Sequence, residues 1–251
     1  MHTVAALWRH PIKSHGREAI DKAILTKGQT MPWDRKWAVS HDACKFDEND
    51  PKWIGCRNFM ITAATPSLAG IWAKLDETTG TLTLRHDDLG SHSFCPDNSD
   101  DIPDFLDWVS PLCPPDKRQP TGIVTVPNRG MTDTDYPTIS VMTTASHHAV
   151  EEQLGRKLET ERWRGNIWLD GPAAWEEHDW VGKTIQIDET KLKIEGPIRR
   201  CMATAANPQT GERDTDTLGA LRDGWDHQHF GVYATVTKTG KVAKGDIAKV
   251  L

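Results

Sequence analysis

Short alternating runs of apolar and polar residues, repeated along almost the whole chain, constrain the fold most strongly. Successive side chains of a β-strand point to opposite faces, so this alternation, or a high content of β-branched residues, is typical of strands. Gly, Pro, Asn or Asp residues separate the runs, as expected for turns. The pattern predicts strands over ten segments, residues 3–10, 36–41, 59–63, 81–86, 138–143, 166–171, 184–188, 191–196, 232–237 and 247–251.

Helical periodicity is confined to a few segments. In the clearest, which runs from Thr144 to about Leu158, Val150 and Leu154 share a face with Leu158, and Thr144 or Ser146 can cap the start. Three shorter helices are predicted, over residues 66–75, 102–109 and 216–223. Many strands with few helices indicate barrels or sandwiches with helical decoration.

A polar, proline-rich stretch over residues 95–137 divides the strands into two groups. Apart from the short helix predicted over 102–109, we interpret this stretch as irregular. Domain boundaries fall preferentially in such segments. We therefore expect an N-terminal β module over residues 1–118 and a C-terminal one over 119–251.

Charge and hydropathy exclude several classes of protein. The formal net charge is −6, so a broad basic surface for nucleic acid is not expected. No apolar run is long enough to span a bilayer. The first residues lack the features of a signal peptide, because Arg9 and Lys13 follow the short apolar run instead of preceding it. We expect a cytoplasmic protein without a membrane partner.

The five cysteines contain no CxxC pair and are odd in number. This argues against a disulfide framework, a zinc ribbon and an iron–sulfur cluster. Any special cysteine must therefore act singly. Cys201 is the best candidate because it directly follows Arg199 and Arg200, and adjacent cations favour the thiolate that ligates metals. The alternative is a small buried cysteine at a strand end. We assign no role to the other four, Cys44, Cys56, Cys95 and Cys113.

Three further segments combine cations or polar groups with turns. Lys13 and Ser14 follow a proline turn and suit an anionic group, although an exposed turn would look the same. Arg35 begins a strand, and a surface pair with Asp34 is its simplest interpretation. Arg164 and Asn166 flank Gly165, which permits close backbone approach, and an extended backbone would place both side chains on one face.

These segments together resemble the MOSC family, the molybdenum cofactor sulfurase C-terminal domain proteins. The likeness covers nearly the whole chain. It lies in the series RWRGNIWLDG, WEEHDWVGKTIQI and LKIEGPIRRCMATAANPQTGE between residues 162 and 212, and in the terminal HFGVYATVTKTGKVAKGDIAKVL. TVAALWRHPIKSHGRE at 3–18 and DRKW at 34–37 resemble the β-barrel domain that precedes MOSC. The resemblance implies a mainly β fold of two interlocked β-barrel-like modules with a few short helices.

The resemblance also implies a molybdenum–molybdopterin cofactor with Cys201 as the protein ligand to the metal. Carried over by motif, the residues that hold the phosphate and pterin are Lys13, Ser14, Arg35, Arg164, Asn166 and Arg200, with Thr204 and Asn207 as weaker candidates. The implied activity is that of an oxidoreductase similar to the amidoxime-reducing component. Such an enzyme reduces N-hydroxylated or N-oxide compounds, and the cofactor carries the redox chemistry.

Two departures from the family limit this expectation. The stretch KFDENDPKWIGCRNFM, after DRKW, differs from the TARQxP-like segment of the reductases, so substrate contacts there cannot be carried over. The sequence also ends at Leu251 without the Cys-rich ferredoxin-like extension of some bacterial members. We expect a separate electron-donor protein of the ferredoxin or flavin reductase type. The alternative function is a non-catalytic cofactor carrier or sulfur-transfer protein that uses the same residues.

Overall fold

The computed structural model describes residues 2–251. Over this range the chain forms fifteen β-strands and three short α-helices, which confirms the predicted mainly β class. The strands are β1 (His2–Arg9), β2 (Glu18–Ile20), β3 (Lys22–Leu25), β4 (Trp37–His41), β5 (Trp72–Leu75), β6 (Leu82–His86), β7 (Gly90–Phe94), β8 (Pro120–Thr125), β9 (Ile139–Thr143), β10 (Ile167–Asp170), β11 (Thr184–Ile187), β12 (Thr190–Arg199), β13 (His229–Lys238), β14 (Gly240–Ala243) and β15 (Ile247–Val250). The helices are α1 (Ile102–Val109), α2 (Thr144–Leu154) and α3 (Thr217–Trp225).

Seven strands close into a barrel. They neighbour one another in the order β10, β9, β13, β12, β11, β15 and β1, and β1 pairs back onto β10 to complete the ring. The neighbours are antiparallel except β9 and β10, which run parallel. β2 extends the sheet beyond the ring by pairing with the last residues of β1. Closure pairs the strands within the ring and removes exposed sheet edges.

Alternation along the strands fills the barrel interior. On β12 the buried Leu192 and Ile194 alternate with more exposed residues, and on β13 Val232, Ala234 and Val236 do the same. These side chains belong to one apolar cluster with residues from the other barrel strands. Residues of alternate sequence position therefore form the core, as the period of two predicts.

Smaller sheets surround the barrel. β4 pairs with β8, β5 to β7 form an antiparallel meander, and β3 pairs with β14. A second apolar core lies among the first two of these sheets and α1, and it includes Trp37, Leu84 and Phe105. This core belongs to a second unit, which lies beside the barrel.

The other two helices cover the outside of the barrel. Val150 of α2 and Leu221 of α3 pack with Trp163, Trp168 and Phe230 in a third cluster. The cap of α2 differs from the predicted one: the side chain of Thr143 accepts a hydrogen bond from the Ser146 backbone N–H. The helix ends at Gly155, whose φ of 66° favours glycine.

Two predicted elements are wrong. Residues 59–63 form no strand, because only Phe59 makes an isolated bridge, to Ser40, before the chain turns. The helix predicted over 66–75 is instead a 3-10 turn over Pro66–Gly70 followed by β5. The stretch 95–137 is also more regular than expected, since β8 lies within it and pairs with β4. Tertiary pairing outweighs local propensity at these places.

The first strand links the two halves of the sequence. β1 lies in the barrel between β15 and β10, whereas the chain directly after it enters the second unit. β3 likewise pairs with β14 near the end of the chain. The division into 1–118 and 119–251 stays a prediction. Because β1 pairs with β10 and β15 from the second half of the chain, sequence position alone cannot locate a domain boundary.

A pair of isoleucine variants tests the barrel core. Ile167 is fully buried in the core and Ile24 on β3 is 65% exposed. Ile167→Ala should lower the free energy of unfolding by about 3 kcal/mol, because it removes buried methyl groups and leaves a cavity. Ile24→Ala should cost less than about 1 kcal/mol. Equilibrium urea denaturation measures both, and equal losses would contradict the assignment of this core.

Candidate functional site

A cavity of about 350 Å³ lies between the barrel and the second unit. Its walls come from the turn after β1, the turn before β4, the loop before β10 and the end of β12. Eight of the nine residues predicted for the site line it, namely Lys13, Ser14, Arg35, Arg164, Asn166, Arg200, Cys201 and Thr204. Asn207 is not among the lining residues, and its amide donates to Asp214 at 2.9 Å.

The turn after β1 carries Lys13 into the cavity. The Lys13 backbone N–H donates to the Trp37 carbonyl at 2.8 Å, which ties the turn to β4. The Lys13 ammonium is buried; it donates to the Met131 carbonyl at 3.0 Å and forms an ion pair with Asp133. Ser14 has a φ of 63°, a backbone conformation unusual for a residue with a side chain. The exposed-turn interpretation of Lys13 is therefore wrong.

Arg35 forms an ion pair with Asp34, which agrees with the simplest interpretation of the sequence. The pair does not lie on the surface, however, because Asp34 is buried and Arg35 is half-buried. Asp34 also accepts a hydrogen bond from the His10 backbone N–H at 2.8 Å. Burial alone would raise the pKa of Asp34, but Arg35 and His10 outweigh it and hold that pKa well below its usual range. Asp34 thus stays charged and orients Arg35, which donates to the Arg164 carbonyl at 3.0 Å.

Arg164 and Asn166 reach the cavity by a different geometry from the one expected. Arg164 has a φ of 47°, so the segment is not extended and simple alternation does not apply. Burial lowers the pKa of Arg164 to about 9, and the nearby charge of Arg35 adds to the effect. Asn166 accepts from the Ser140 hydroxyl at 2.9 Å and donates to the Trp8 carbonyl at 3.2 Å. One amide N–H of Asn166 is left for a ligand.

Arg200 lies against the aromatic wall of the cavity. Its guanidinium donates to the Phe230 carbonyl at 2.6 and 2.9 Å and to the Trp163 carbonyl at 2.8 Å. The Trp163 and Phe230 rings stack with their centroids 3.8 Å apart, and Arg200 lies 5.7 Å from each. Burial lowers the pKa of Arg200 to about 10. Main-chain carbonyls therefore hold this cation, which forms no ion pair with an acidic side chain in the described part of the chain.

Cys201 is an exposed free thiol at the cavity wall, which excludes the alternative of a small buried cysteine. It lies two positions after the last residue of β12 and directly before a 3-10 turn over Met202–Ala205. The buried Thr204 hydroxyl donates to the Cys201 carbonyl at 3.0 Å and contacts the Thr217 hydroxyl at 2.6 Å. Thr204 thus fixes the backbone that presents the thiol. Within residues 2–251, no three His, Cys, Asp or Glu side chains converge as a metal site.

The electrostatic balance of the cavity favours an anion. Six cationic side chains line it, and the carboxylate of Asp133 is the acidic group among the lining residues. Burial alone would raise the pKa of Asp133, but Lys13 and Arg35 lower it to about 2. The like charges of Arg35 and Arg164 lie close enough to lower the pKa of Arg164. An anion in this cavity would relieve that repulsion.

Several lining residues escaped prediction. They include Cys56, Asp133, Ser140, Arg162, Trp163, Arg199 and Tyr233. Asp133 belongs to the proline-rich stretch interpreted only as a boundary, and Tyr233 lies on a barrel strand without a motif of its own. The sequence feature that could have drawn attention to Tyr233 is the rarity of tyrosine, since the chain has 2 tyrosines. Within residues 2–251, no helix is long and apolar enough to cross a bilayer.

Two family models match the chain. The model of the MOSC N-terminal beta barrel domain covers residues 1–101, and that of the MOSC domain covers residues 130–249. The YUAD protein from Bacillus subtilis has a similar fold, with a TM-score of 0.50 and 16% sequence identity over 100% of this chain and 96% of that one.

Two kinds of curated relative also match part of the chain. Human mitochondrial amidoxime reducing component 2 is 32% identical over 45% of this chain and 36% of the relative. The molybdenum cofactor sulfurase of Drosophila pseudoobscura pseudoobscura is 34% identical over 36% of this chain and 11% of the relative. The matched regions thus span about a third of the first relative and about a tenth of the second.

The turn that holds Lys13 should make stability depend on pH. His15 is fully buried, its Nδ1 lies 2.8 Å from the Lys13 carbonyl, and burial lowers its pKa from 6.5 to about 4. Between these values the unfolded chain binds a proton that the folded protein does not, so stability falls as the pH drops through this window. His15→Asn should shrink the loss between pH 7 and pH 5 by about 2 kcal/mol.

Urea denaturation at the two pH values measures this difference. His148→Asn is the control, because His148 lies exposed on α2 and loses little solvent on folding. The control should keep the pH dependence of the unmodified protein. If His15→Asn kept it as well, the buried neutral imidazole would not be a source of acid sensitivity.

Proposed function

The chain belongs to the MOSC domain family, and we propose that it is a molybdenum-cofactor oxidoreductase that reduces N-hydroxylated or N-oxide compounds. The cofactor would lie in the cavity between the barrel and the second unit, with Cys201 as the protein ligand to the metal. One observation carries the proposal: six cationic side chains line the cavity that also presents the free thiol of Cys201.

The donor set fits a phosphorylated pterin. A phosphate dianion needs several cations in a protein with a net charge of −6. Lys13, Arg35 and Arg164 supply them from three different loops, and arginine forks match phosphate oxygens well. The hydroxyl of Ser14 and the remaining amide N–H of Asn166 add neutral donors. These groups would bind the phosphate and the polar edge of the pterin.

The metal end of the cofactor fits the other side of the cavity. Cys201 provides a single thiolate, which is the form of cysteine that binds metal. Arg200 lies next to it in sequence, and Thr204 fixes its backbone. Trp163 is buried and stacks on Phe230, so this wall excludes water from the interior. The thiol itself stays accessible to an incoming substrate.

When bound, the cofactor would supply two electrons that, with two protons, convert an N-hydroxyl group into N–H and water, or an N-oxide into the free amine and water. The residues of the chain would bind it, orient it and leave its metal end open at Cys201. Electrons would come from a separate donor protein of the ferredoxin or flavin reductase type. The similarity to an amidoxime reducing component supports this reaction class. The similarity to molybdenum cofactor sulfurases supports a role of the same cofactor.

A cysteine series tests the proposal. Cys201→Ala should abolish reduction of benzamidoxime by reduced viologen, because an alkyl group cannot ligate the metal. Some cofactor should remain, since the cations that bind the phosphate are unchanged. The rate per bound Mo should therefore fall further than the Mo content. Cys44→Ala, Cys95→Ala and Cys113→Ala are the controls, because none of these residues lines the cavity.

Activity normalised to Mo content is the measurement. The three controls should keep the rate per Mo of the unmodified protein, whatever they cost in stability. If Cys201→Ala kept that rate too, the assignment of the metal ligand would be lost. If the unmodified protein were fully loaded with Mo and still inactive with viologen, a non-catalytic carrier would replace the enzyme as the proposed function.

A further inference from the structure

Arg199 has a free guanidinium at the entrance of the cavity. The residue is exposed and lines the cavity together with Cys201. Within residues 2–251 its side chain makes no hydrogen bond to a neighbour, unlike Arg200, which three carbonyl contacts hold in place. Arg199 and Cys201 are two positions apart, and both have extended or strand backbone. Their side chains therefore leave the same face of the chain.

A histidine lies directly opposite Arg199. In the antiparallel pairing of β12 with β13, Arg199 is the partner of His229. Residues opposite one another in such a ladder project their side chains to the same face. His229 therefore stands beside Arg199 on the face that presents Cys201. Its ring nitrogens make no hydrogen bond within residues 2–251, so both can meet a ligand.

A cluster of His and Trp rings adjoins His229. The His227 ring lies 5.5 Å from that of His229, and the His178 ring lies 5.4 Å from that of His227. The Trp175 ring packs 5.3 Å from His227. Nε2 of His178 and Nε1 of Trp175 are buried and lack a hydrogen-bond partner in the protein. Buried polar groups without a partner are rare in folded proteins and indicate a bound group or water.

We propose that Arg199 and His229 bind an anionic group of the substrate, so that the substrates are N-hydroxylated or N-oxide compounds that carry a carboxylate or a similar anion. This inference rests on the proposed function, because it places the N–O group at Cys201. An arginine beside an imidazole matches a carboxylate with directed hydrogen bonds. The neighbouring His and Trp rings offer a surface for a planar substrate body.

These groups are distinct from those proposed for the cofactor. Lys13 is buried and paired with Asp133, and the half-buried Arg35 is paired with Asp34, whereas Arg199 is exposed and forms no ion pair within residues 2–251. The inner cations would be occupied by the cofactor phosphate in the loaded protein. Arg199 would remain free for a second anion. The two groups of cations would therefore bind different anions.

Two substrates that differ in charge test the inference. Cofactor-loaded protein is assayed with benzamidoxime and 4-carboxybenzamidoxime, with reduced viologen as donor. The quantity measured is the ratio of kcat/KM for the charged substrate over the neutral one. Arg199→Gln should lower this ratio about fivefold, because it removes a charge-assisted hydrogen bond at a partly solvated site. Arg199→Lys should restore part of it.

The control is Arg222→Gln. Arg222 lies exposed on α3, also without a side-chain hydrogen bond within residues 2–251, and is not among the cavity-lining residues. This variant should leave the substrate ratio unchanged. A general loss of folding or loading would lower both rates together and would not move the ratio. An unchanged ratio in Arg199→Gln would overturn the inference.

A binding measurement without turnover tests the anion site independently of the proposed reaction. Titration calorimetry of 4-carboxybenzamidoxime into oxidised, loaded protein without an electron donor should give a dissociation constant about fivefold weaker in Arg199→Gln. If the unmodified protein reduced benzamidoxime but bound 4-carboxybenzamidoxime no more tightly than Arg199→Gln does, the proposed function would stand and the anion site would be contradicted. If the unmodified protein bound 4-carboxybenzamidoxime more tightly than Arg199→Gln but reduced neither substrate, the anion site would be supported and the reductase function contradicted.

Discussion

The protein's central constraint is the mutual repulsion of cations gathered in one enclosed cavity. Lys13, Arg35, Arg164 and Arg200 line the same space, and burial lowers the pKa of both Arg164 and Arg200. Such an arrangement is unfavourable unless fixed dipoles, acidic groups or a bound anion compensate it. Asp34, Asp133 and several main-chain carbonyls provide part of this compensation. A phosphate would provide the rest.

The fold supplies the rigidity that this arrangement needs. Closure of the barrel by β1 carries the following turn directly to the cavity, and the bond from Lys13 to Trp37 attaches that turn to the second unit. Ser14, Arg35 and Arg164 all have a positive φ, which costs energy for residues with side chains. Backbone strain at three cationic or polar positions of one cavity is typical of a site held ready for a ligand.

Much of the fold could be predicted because alternation is a local signal. The barrel strands β11 to β13 follow it closely, whereas β9 and β10 are buried along almost their whole length. β5 and β8 were missed because their burial shows no clear alternation. The site was predictable where a motif carried it, as for Cys201. It was not predictable at Asp133, whose role depends on a contact with Lys13 across 120 positions. Arg164 was correctly predicted to line the site, but the reason given was wrong. The prediction assumed an extended backbone, whereas Arg164 has a positive φ.

The cofactor content of an Arg164 variant tests the central claim most directly. Unmodified protein and Arg164→Gln are purified from a molybdate-supplied host that makes the cofactor, and Mo and pterin are measured per protein. Loss of a charge-assisted bond to phosphate predicts about tenfold less of both in the variant. Circular dichroism shows whether the variant is folded. Unmodified protein without Mo or pterin, or a folded variant with full content of both, would contradict the account.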